Sequence, residues 1–262
     1  MLLKDKVALI TGAGRGLGRA TAMAMAGVGA SVALLSRTKS ELDAVAALIQ
    51  EAGGRSLVLP ADVADEGAVR EAVARTAAEL GGLDILVNCA ATLGPAAPLH
   101  EVDPEDWNRT LAVNLGGTRL MGQETIPHMI DAGSGRIINV TSGLADFVMP
   151  LFGAYSVSKA GVNHMTRIMA EELRGFHIQV NGLDPGVMDT GMQEDIRRLG
   201  PGILGKPLHD QFVSFKEDGH LRPPEEVARL VLFLSSDHSV GITGEVGGTA
   251  DYRDYGYGLE EE

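Results

Sequence analysis

Apolar and polar positions follow two rhythms that alternate along the chain. A short apolar run occurs at Val7–Ile10, and strand-like segments that combine apolar residues with a few polar ones occur at Ser31–Leu35, Ser56–Pro60, Asp84–Asn88, Gly135–Thr141 and Ile178–Leu183. Runs of this length without a polar face predict parallel strands buried on both sides. Between them, apolar residues recur three and four apart, which predicts amphipathic helices. One ends near Val28. One covers Lys39–Ala52 with Leu42, Val45 and Leu48 or Ile49 inward, and one covers Glu66–Leu80 with Val69, Val73 and Leu80 inward. Longer helices are expected from Asp103 to about Ile130, from Ala154 to about Gly175, and from Pro223 to about Ser235. Gly53-Gly54 and Gly81-Gly82 stop two of the helices. Asp103-Pro104-Glu105-Asp106 reads as a helix start, with a capping Asp, a proline at the first position and acids in the first turn, so these carboxylates are structural. The stretch Ile242–Val246 is expected to form the beginning of a final strand.

Strands alternating with helices require right-handed crossovers, and these predict an α/β sandwich of about seven parallel strands, doubly wound with helices on both faces. A ligand crevice is then expected where strand order reverses, between the first and fourth strands, with Gly12 and Asn88 as neighbours. The texture changes from Met188 to Arg222, where glycines mix with Met192, Ile196, Leu199, Phe212 and Phe215. Thr190 is placed to cap a helix there. An insertion of this length, about residues 187–222, serves either as a lid closing over an apolar substrate or as a structural subdomain. Tyr252–Glu262 reads as a polar, mobile tail with Glu260–Glu262 as a solvated end.

Composition narrows the partners. A chain of 262 residues without repeat or linker suits one domain over 1–262. A net charge of −13 argues against a phosphate-binding surface for nucleic acid and against docking on an anionic membrane. No stretch approaches the ~20 apolar residues of a membrane span. The N-terminus runs straight into a strand, which argues against a signal peptide. Cys89 is the one cysteine, so no intrachain disulfide forms and a reducing, cytoplasmic setting fits. It lies among small residues and reads as packing. The seven His show no metal-ligand spacing, and no metal is expected.

Four features carry chemistry. Thr11-Gly12-Ala13-Gly14-Arg15-Gly16-Leu17-Gly18 joins a strand to a helix, and a glycine turn there lets backbone amides and the helix dipole meet a pyrophosphate. The second strand ends at Ser36-Arg37 with no carboxylate; Arg37 and Arg15 can flank a 2′-phosphate, which indicates NADP(H) over NAD(H), although Arg37 also reads as the start of a solvated helix face. Asp62, after the third strand, can bond an adenine amino group or cap a turn. Finally, Tyr155 and Lys159 are four apart on a helix, one turn from each other, with Ser142 on the turn after the fifth strand. An ammonium about 5 Å from a phenol, at an effective dielectric of about 20, contributes roughly 3 kcal/mol and would bring the tyrosine towards ~8, less what burial takes back.

These motifs resemble the short-chain dehydrogenase/reductase family over nearly the whole chain, from Val7 to about Val246. The phosphate turn, Asn88-Cys89-Ala90-Ala91, Ser142 with Tyr155 and Lys159, and Pro185-Gly186 occur in the family's order. The resemblance implies a Rossmann-type fold and an NADP(H)-dependent carbonyl reductase, reversible as an alcohol dehydrogenase. It implies that Tyr155 is the general acid/base, that Lys159 lowers its pKa and holds the nicotinamide ribose, that Ser142 orients the carbonyl, and that Asn114 anchors a water leading to Lys159. Cofactor contacts are expected from Gly12, Gly14, Arg15, Gly16, Leu17 and Gly18, from Ser36, Arg37, Asp62, Val63, Asn88 and Ala90, and from Tyr155, Lys159, Pro185, Gly186, Val187 and Thr190. Two departures stand out. Asn88-Cys89-Ala90-Ala91 replaces Asn-Asn-Ala-Gly, and the usual C-terminal Asp-Gly-Gly gives way to Asp251-Tyr252-Arg253. The stretch Asp189–Arg197 with Pro224–Ala228 is similar to the sepiapterin/benzil reductase branch, which implies a diketone or other compact carbonyl. Relatives pair through the helices around Trp107–Ile130 and Tyr155–Gly175, which implies a homotetramer or homodimer. A 3-oxoacyl-thioester reductase is the alternative enzyme, and an NADP(H)-binding regulator without turnover the alternative of another class.

Overall fold

The structure, a computed structural model, describes residues 1–258. Seven parallel strands form one sheet in the order β3-β2-β1-β4-β5-β6-β7. They are β1 (Val7–Thr11), β2 (Ser31–Ser36), β3 (Arg55–Pro60), β4 (Ile85–Asn88), β5 (Gly135–Val140), β6 (Ile178–Leu183) and β7 (Val246–Gly247). The helices that follow them are α1 (Gly16–Gly27), α2 (Lys39–Glu51), α3 (Glu66–Leu80), α4 (Pro104–Leu111), α5 (Gly117–Ala132), α6 (Gly153–Leu173), α7 (Gly191–Arg198), α8 (Gly200–Leu204), α9 (Lys206–Glu217) and α10 (Pro224–Ser235).

Because successive strand residues point to opposite faces, each apolar run feeds two cores. Ala8, Ile10, Val32, Leu34, Ile85 and Val87 pack with Leu42 and Val45 of α2 and Leu230 and Val231 of α10. Leu9, Ala33, Leu35, Leu86, Ile137 and Val180 pack on the other face with Val69 and Val73 of α3 and Met121 and Met129 of α5. Full burial of each such aliphatic side chain contributes about 1.5–3 kcal/mol, so both faces resist polar substitution. Ile10 pairs with Leu34 on one side and Val87 on the other. Strand order runs outward in both directions from β1 and β4, and the crevice opens between their carboxyl ends.

Three expectations are corrected. The helix from Asp103 to Ile130 is interrupted: α4 and α5 are joined by a π-helical turn over Ala112–Gly116. The turn accommodates an extra residue and carries Asn114 into the interior, where its side chain finds partners (below). The last strand is only Val246–Gly247, because side chains on β6 hold the residues before it. Gln179 Nε2 donates to Ser239 O and Ile242 O, both at 2.8 Å, and Asn181 Nδ2 donates to Ile242 O at 2.8 Å. Val180 N–H donates to Thr243 Oγ1 at 3.1 Å.

The tail is likewise anchored. Tyr252 is 1 % exposed, and its hydroxyl donates to Gly182 O at 2.8 Å and Glu245 O at 3.1 Å. Its ring joins the core with α10, and Tyr257 packs edge-on to Phe233 at 5.5 Å. These partners are distant in sequence, which is why the polar local composition misleads. Glu260–Glu262 lie outside the described residues.

The insertion folds as α7, α8 and α9 around a satellite core of Phe152, Ile196, Leu204 and Phe212. Phe212 meets Phe152 and Phe215 edge-to-face at 6.2 and 5.9 Å. Its root is closed by hydrogen bonds from Asp189 N–H to Arg222 O and from Arg222 N–H to Val187 O, each 2.9 Å. Among the described residues no helix is long and apolar enough to cross a membrane.

Candidate active site

The turn after β1 is shaped by backbone contacts that admit no side chain. Gly12 has φ +67°, and a Cβ there would stand 3.0 Å from Ala90 Cα. The partner across the crevice is therefore Cys89-Ala90 rather than Asn88. Gly16 has φ +52°, and a Cβ on Gly18 would lie 2.2 Å from Gly12 O. Thr11 Oγ1 locks the turn to the end of β4, accepting from Cys89 N–H and Ala90 N–H at 3.0 Å each. No side chain caps the start of α1. Its first amides and the positive end of its dipole thus face the crevice, a place for an anion.

A cleft of about 420 Å³ runs from this turn along the carboxyl ends of the strands. Ser36, Arg37 and Asp62 line one end, together with two groups that local sequence did not reveal, Glu41 and Arg109. A Cβ on Gly14 would come 2.8 Å from Glu41 Oε2 and 3.3 Å from Ser36 Oγ, and Ser36 Oγ is enclosed without a protein partner. Asp62 caps its turn, accepting from Ala64 N–H at 3.0 Å, and accepts from Arg109 Nη2 at 2.5 Å. Burial would raise this carboxyl, but those two hydrogen bonds and the charges of Arg109 and Arg37 hold it below its usual range. Glu41 sits in the first turn of α2, where an acid reads as ordinary dipole compensation. Arg109 arrives from a helix 47 residues away from Asp62.

At the other end Ser142, Tyr155 and Lys159 converge. Ser142 Oγ accepts from Leu144 N–H at 3.2 Å and is hydrogen-bonded to the Tyr155 hydroxyl. Tyr155 is 8 % and Lys159 3 % exposed. Lys159 Nζ donates to Val140 O at 2.6 Å and lies 5.8 Å from the centre of the Tyr155 ring. The expectation of a phenol near ~8 is overturned. Burial pushes Tyr155 up to about 12; the Ser142 hydrogen bond opposes this, while Asp184 and Cys89 add to it. Burial also pushes Lys159 down to about 8, against a smaller upward pull from Cys89. Cys89 opens partly onto the cleft, but burial of its sulfur raises the thiol to about 11, which fits packing rather than nucleophilic chemistry.

The Lys159 shift has a testable sign. Between about pH 8 and 10.5 the unfolded chain keeps a proton that the folded chain has shed, so stability rises with pH across that window. The wild type is expected to gain about 3 kcal/mol relative to Lys159→Met between about pH 7 and about pH 10.5. Paired urea melts check this, and parallel curves would show that Lys159 titrates as an ordinary lysine.

Asn114, fully buried, is engaged by protein. Its Oδ1 accepts from Thr92 N–H at 2.8 Å, and its Nδ2 donates to Thr92 O at 2.9 Å and Ser158 Oγ at 3.0 Å. It ties the segment after β4 to α6 one residue before Lys159. Leu151, at the entrance to α6, has φ +72°, a strained conformation costing on the order of 1 kcal/mol. Its carbonyl accepts from Ala97 N–H at 3.1 Å, which holds the conformation.

Gly12, Gly14, Arg15, Gly16, Leu17, Val63, Ala90, Pro185 and Thr190 line the cleft, with Tyr155 and Lys159. Others stand elsewhere. Gly18 lies beneath the turn. Asn88 faces away, donating to Asn139 Oδ1 at 2.9 Å, and Asn139 Nδ2 donates in turn to Thr166 Oγ1 at 2.9 Å, so it braces β4 against β5 and α6. Gly186 and Val187 shape the loop after β6: Gly186 N–H donates to Asp184 Oδ1 at 3.0 Å, and Val187 O accepts from Arg222. Thr190 precedes α7 but its side chain does not cap it; instead its methyl lies 3.4 Å from where a Gly16 Cβ would be. Met188 and Met192, apolar residues of the insertion, also reach the cleft.

Known proteins resemble the chain in sequence and in fold. A family model for short chain dehydrogenases matches residues 6–199. The chain is 37 % identical over 244 residues to cis-4-hydroxycyclohexanecarboxylate dehydrogenase of Sinomonas cyclohexanicum, covering 92 % of this chain and 94 % of that one. It is 36 % identical over 246 residues to 3-oxoacyl-[acyl-carrier-protein] reductase of Thermotoga maritima, covering 94 % and 96 %. The crystal structure of levodione reductase superposes with a TM-score of 0.87 at 28 % identity, covering 97 % of this chain and 100 % of that one. The chain belongs to the short-chain dehydrogenase/reductase family, Rossmann-fold oxidoreductases that act on alcohols and carbonyls.

Proposed function

We propose that this protein is an NADP(H)-dependent carbonyl reductase, reversible as an alcohol dehydrogenase, for a small and rather apolar carbonyl compound. The observation that carries the reading is the meeting of Tyr155 and Lys159 at one end of a cleft whose middle is the glycine turn before α1, with the Ser142 hydroxyl against that of Tyr155.

The residues fit a dinucleotide. The side-chain-free surface of Gly12, Gly14 and Gly16 suits a pyrophosphate, and the enclosed, unpartnered Ser36 Oγ suits a ribose oxygen. Arg15 and Arg37 at the rim suit a 2′-phosphate, and Lys159 a ribose hydroxyl. When bound, the nicotinamide supplies the hydride. Tyr155, protonated through the neutral range, gives its proton to the carbonyl oxygen, and Ser142 Oγ donates to the same oxygen and holds it in line. Asn114, through Ser158 and the Thr92 segment, keeps α6 in register with β4. The segment 187–222 acts as the lid, with Met188 and Met192 setting the substrate wall. Val157 and Ile168, exposed on α6, form the seam of a dimer or tetramer.

The test is NADPH oxidation over a panel of aromatic diketones, simple ketones and acetoacetyl thioesters, with NADH in parallel. Arg37→Ala is expected to cost about 10–100-fold in kcat/KM for NADPH and little for NADH, the worth of one charge-assisted hydrogen bond to phosphate. A wild type that prefers NADH would overturn the cofactor assignment. The kinship to the Thermotoga maritima reductase favours a second reading, thioester reduction, which turnover of the thioesters alone would select.

A further inference from the structure

Asp184 is the residue with which the chain leaves β6, and it is fixed on both sides. Its N–H donates to Gly247 O at 2.8 Å, and its Oδ1 accepts from Gly186 N–H at 3.0 Å. Oδ2 has no protein partner among the described residues. It lies against Gly143, the residue after Ser142: a Cβ built there would be 3.2 Å from Oδ2 and 3.5 Å from the Phe147 ring. Phe147 is 74 % exposed, so this wall is open to an arriving molecule.

Among the described residues no cation is paired with the Asp184 carboxylate. Lys159 Nζ is turned to Val140 O at 2.6 Å, Lys216 is paired with Asp189 at 2.6 Å, and Arg222 is bonded to Thr249 at 3.0 Å. The charge is felt at the proton donor, where Asp184 adds to the upward shift of Tyr155. The groups facing that phenol are the Ser142 hydroxyl from the end of β5, Cys89 from the end of β4, Asp184 from the end of β6, and Lys159 on its own helix.

We infer that Asp184 selects substrates by charge, its free oxygen taking a hydrogen bond from a hydroxyl or ammonium beside the reacting carbon and excluding compounds with a carboxylate there. This rests on Tyr155 as the proton donor. The substrate class becomes hydroxy or amino ketones and the matching diols or amino alcohols. Gly143 is required because a side chain would stand between the carboxylate and the substrate.

The test compares 2-hydroxyacetophenone, propiophenone and benzoylformate, which share a ring and a ketone. Steady-state rates with NADPH and calorimetric binding to the NADP⁺-loaded enzyme are read for wild type, Asp184→Asn and Asp184→Ser. Wild type is expected to favour the hydroxy ketone over benzoylformate by at least about tenfold, and both variants to narrow that ratio by about tenfold, the effect of one like charge at the reacting centre. Asp184→Asn keeps the acceptor for Gly186, and a melt identifies a misfolded variant; Asp184→Ser then carries the test. The pH at which alcohol oxidation sets in should move down in both variants, because the raising charge is gone. An unchanged ratio, a wild-type preference for benzoylformate, or equal affinity for all three compounds overturns the inference. Failure of the underlying reading has another signature, turnover that survives Tyr155→Phe.

Discussion

Tyr155→Phe is expected to lose about 10²–10⁴-fold in kcat/KM for carbonyl reduction, the usual worth of a positioned proton donor. NADPH affinity and the melting temperature should stay close to wild type. The ring is 8 % exposed, and Phe fills the same space. What disappears is the hydroxyl that Ser142 holds, and no neighbour replaces it: Lys159 Nζ is committed to Val140 O, and the Cys89 thiol stays protonated at neutral pH. The shift to about 12 fixes the direction of the pH dependence. The phenol holds its proton across the neutral range, so reduction finds its acid ready, whereas oxidation needs the phenolate and accelerates as pH rises. Initial rates in both directions for both proteins check this. Equal rates would remove Tyr155 from the mechanism.

Gly18→Ala is expected to weaken NADPH binding by more than about 100-fold, or to prevent folding, because the new methyl meets atoms that cannot move aside. They are Gly12 O at 2.2 Å, Gly12 C at 2.7 Å and Ala13 N at 3.1 Å, all backbone of the phosphate turn. Room for the methyl requires α1 to separate from the turn, which also breaks the contact of the Gly18 amide with the Cys89 sulfur. Gly27→Ala supplies the control at the other end of the same helix. A Cβ there has nothing within 4 Å, and the change should be neutral or stabilising by up to about 1 kcal/mol. Calorimetric titration with NADPH and thermal melts of the two variants are the measurements. Wild-type affinity in Gly18→Ala would show that the turn is not the phosphate cradle.

The sheet, the helices α1 to α3 and the four-residue spacing of Tyr155 and Lys159 were legible in the sequence because each is written in neighbouring residues. Uninterrupted apolar runs such as Ile85-Leu86-Val87 mean a strand covered on both faces, and amphipathic repeats such as Leu42, Val45 and Ile49 mean a helix covered on one. Glycines between strand and helix mean a turn that brings backbone amides to an anion, and the strand–helix alternation itself located the crevice. What the sequence could not show depends on atoms brought together from far along the chain. Glu41 and Arg109 join the cleft, Asn88 turns from it to Asn139, Asn114 is drawn inward by Thr92 and Ser158, and Tyr252 is pinned by Gly182. The ionisation of the central pair belongs here too. Spacing along a helix sets how near an ammonium can come to a phenol, but desolvation depends on everything packed around both, and only the folded chain decides that burial outweighs their attraction.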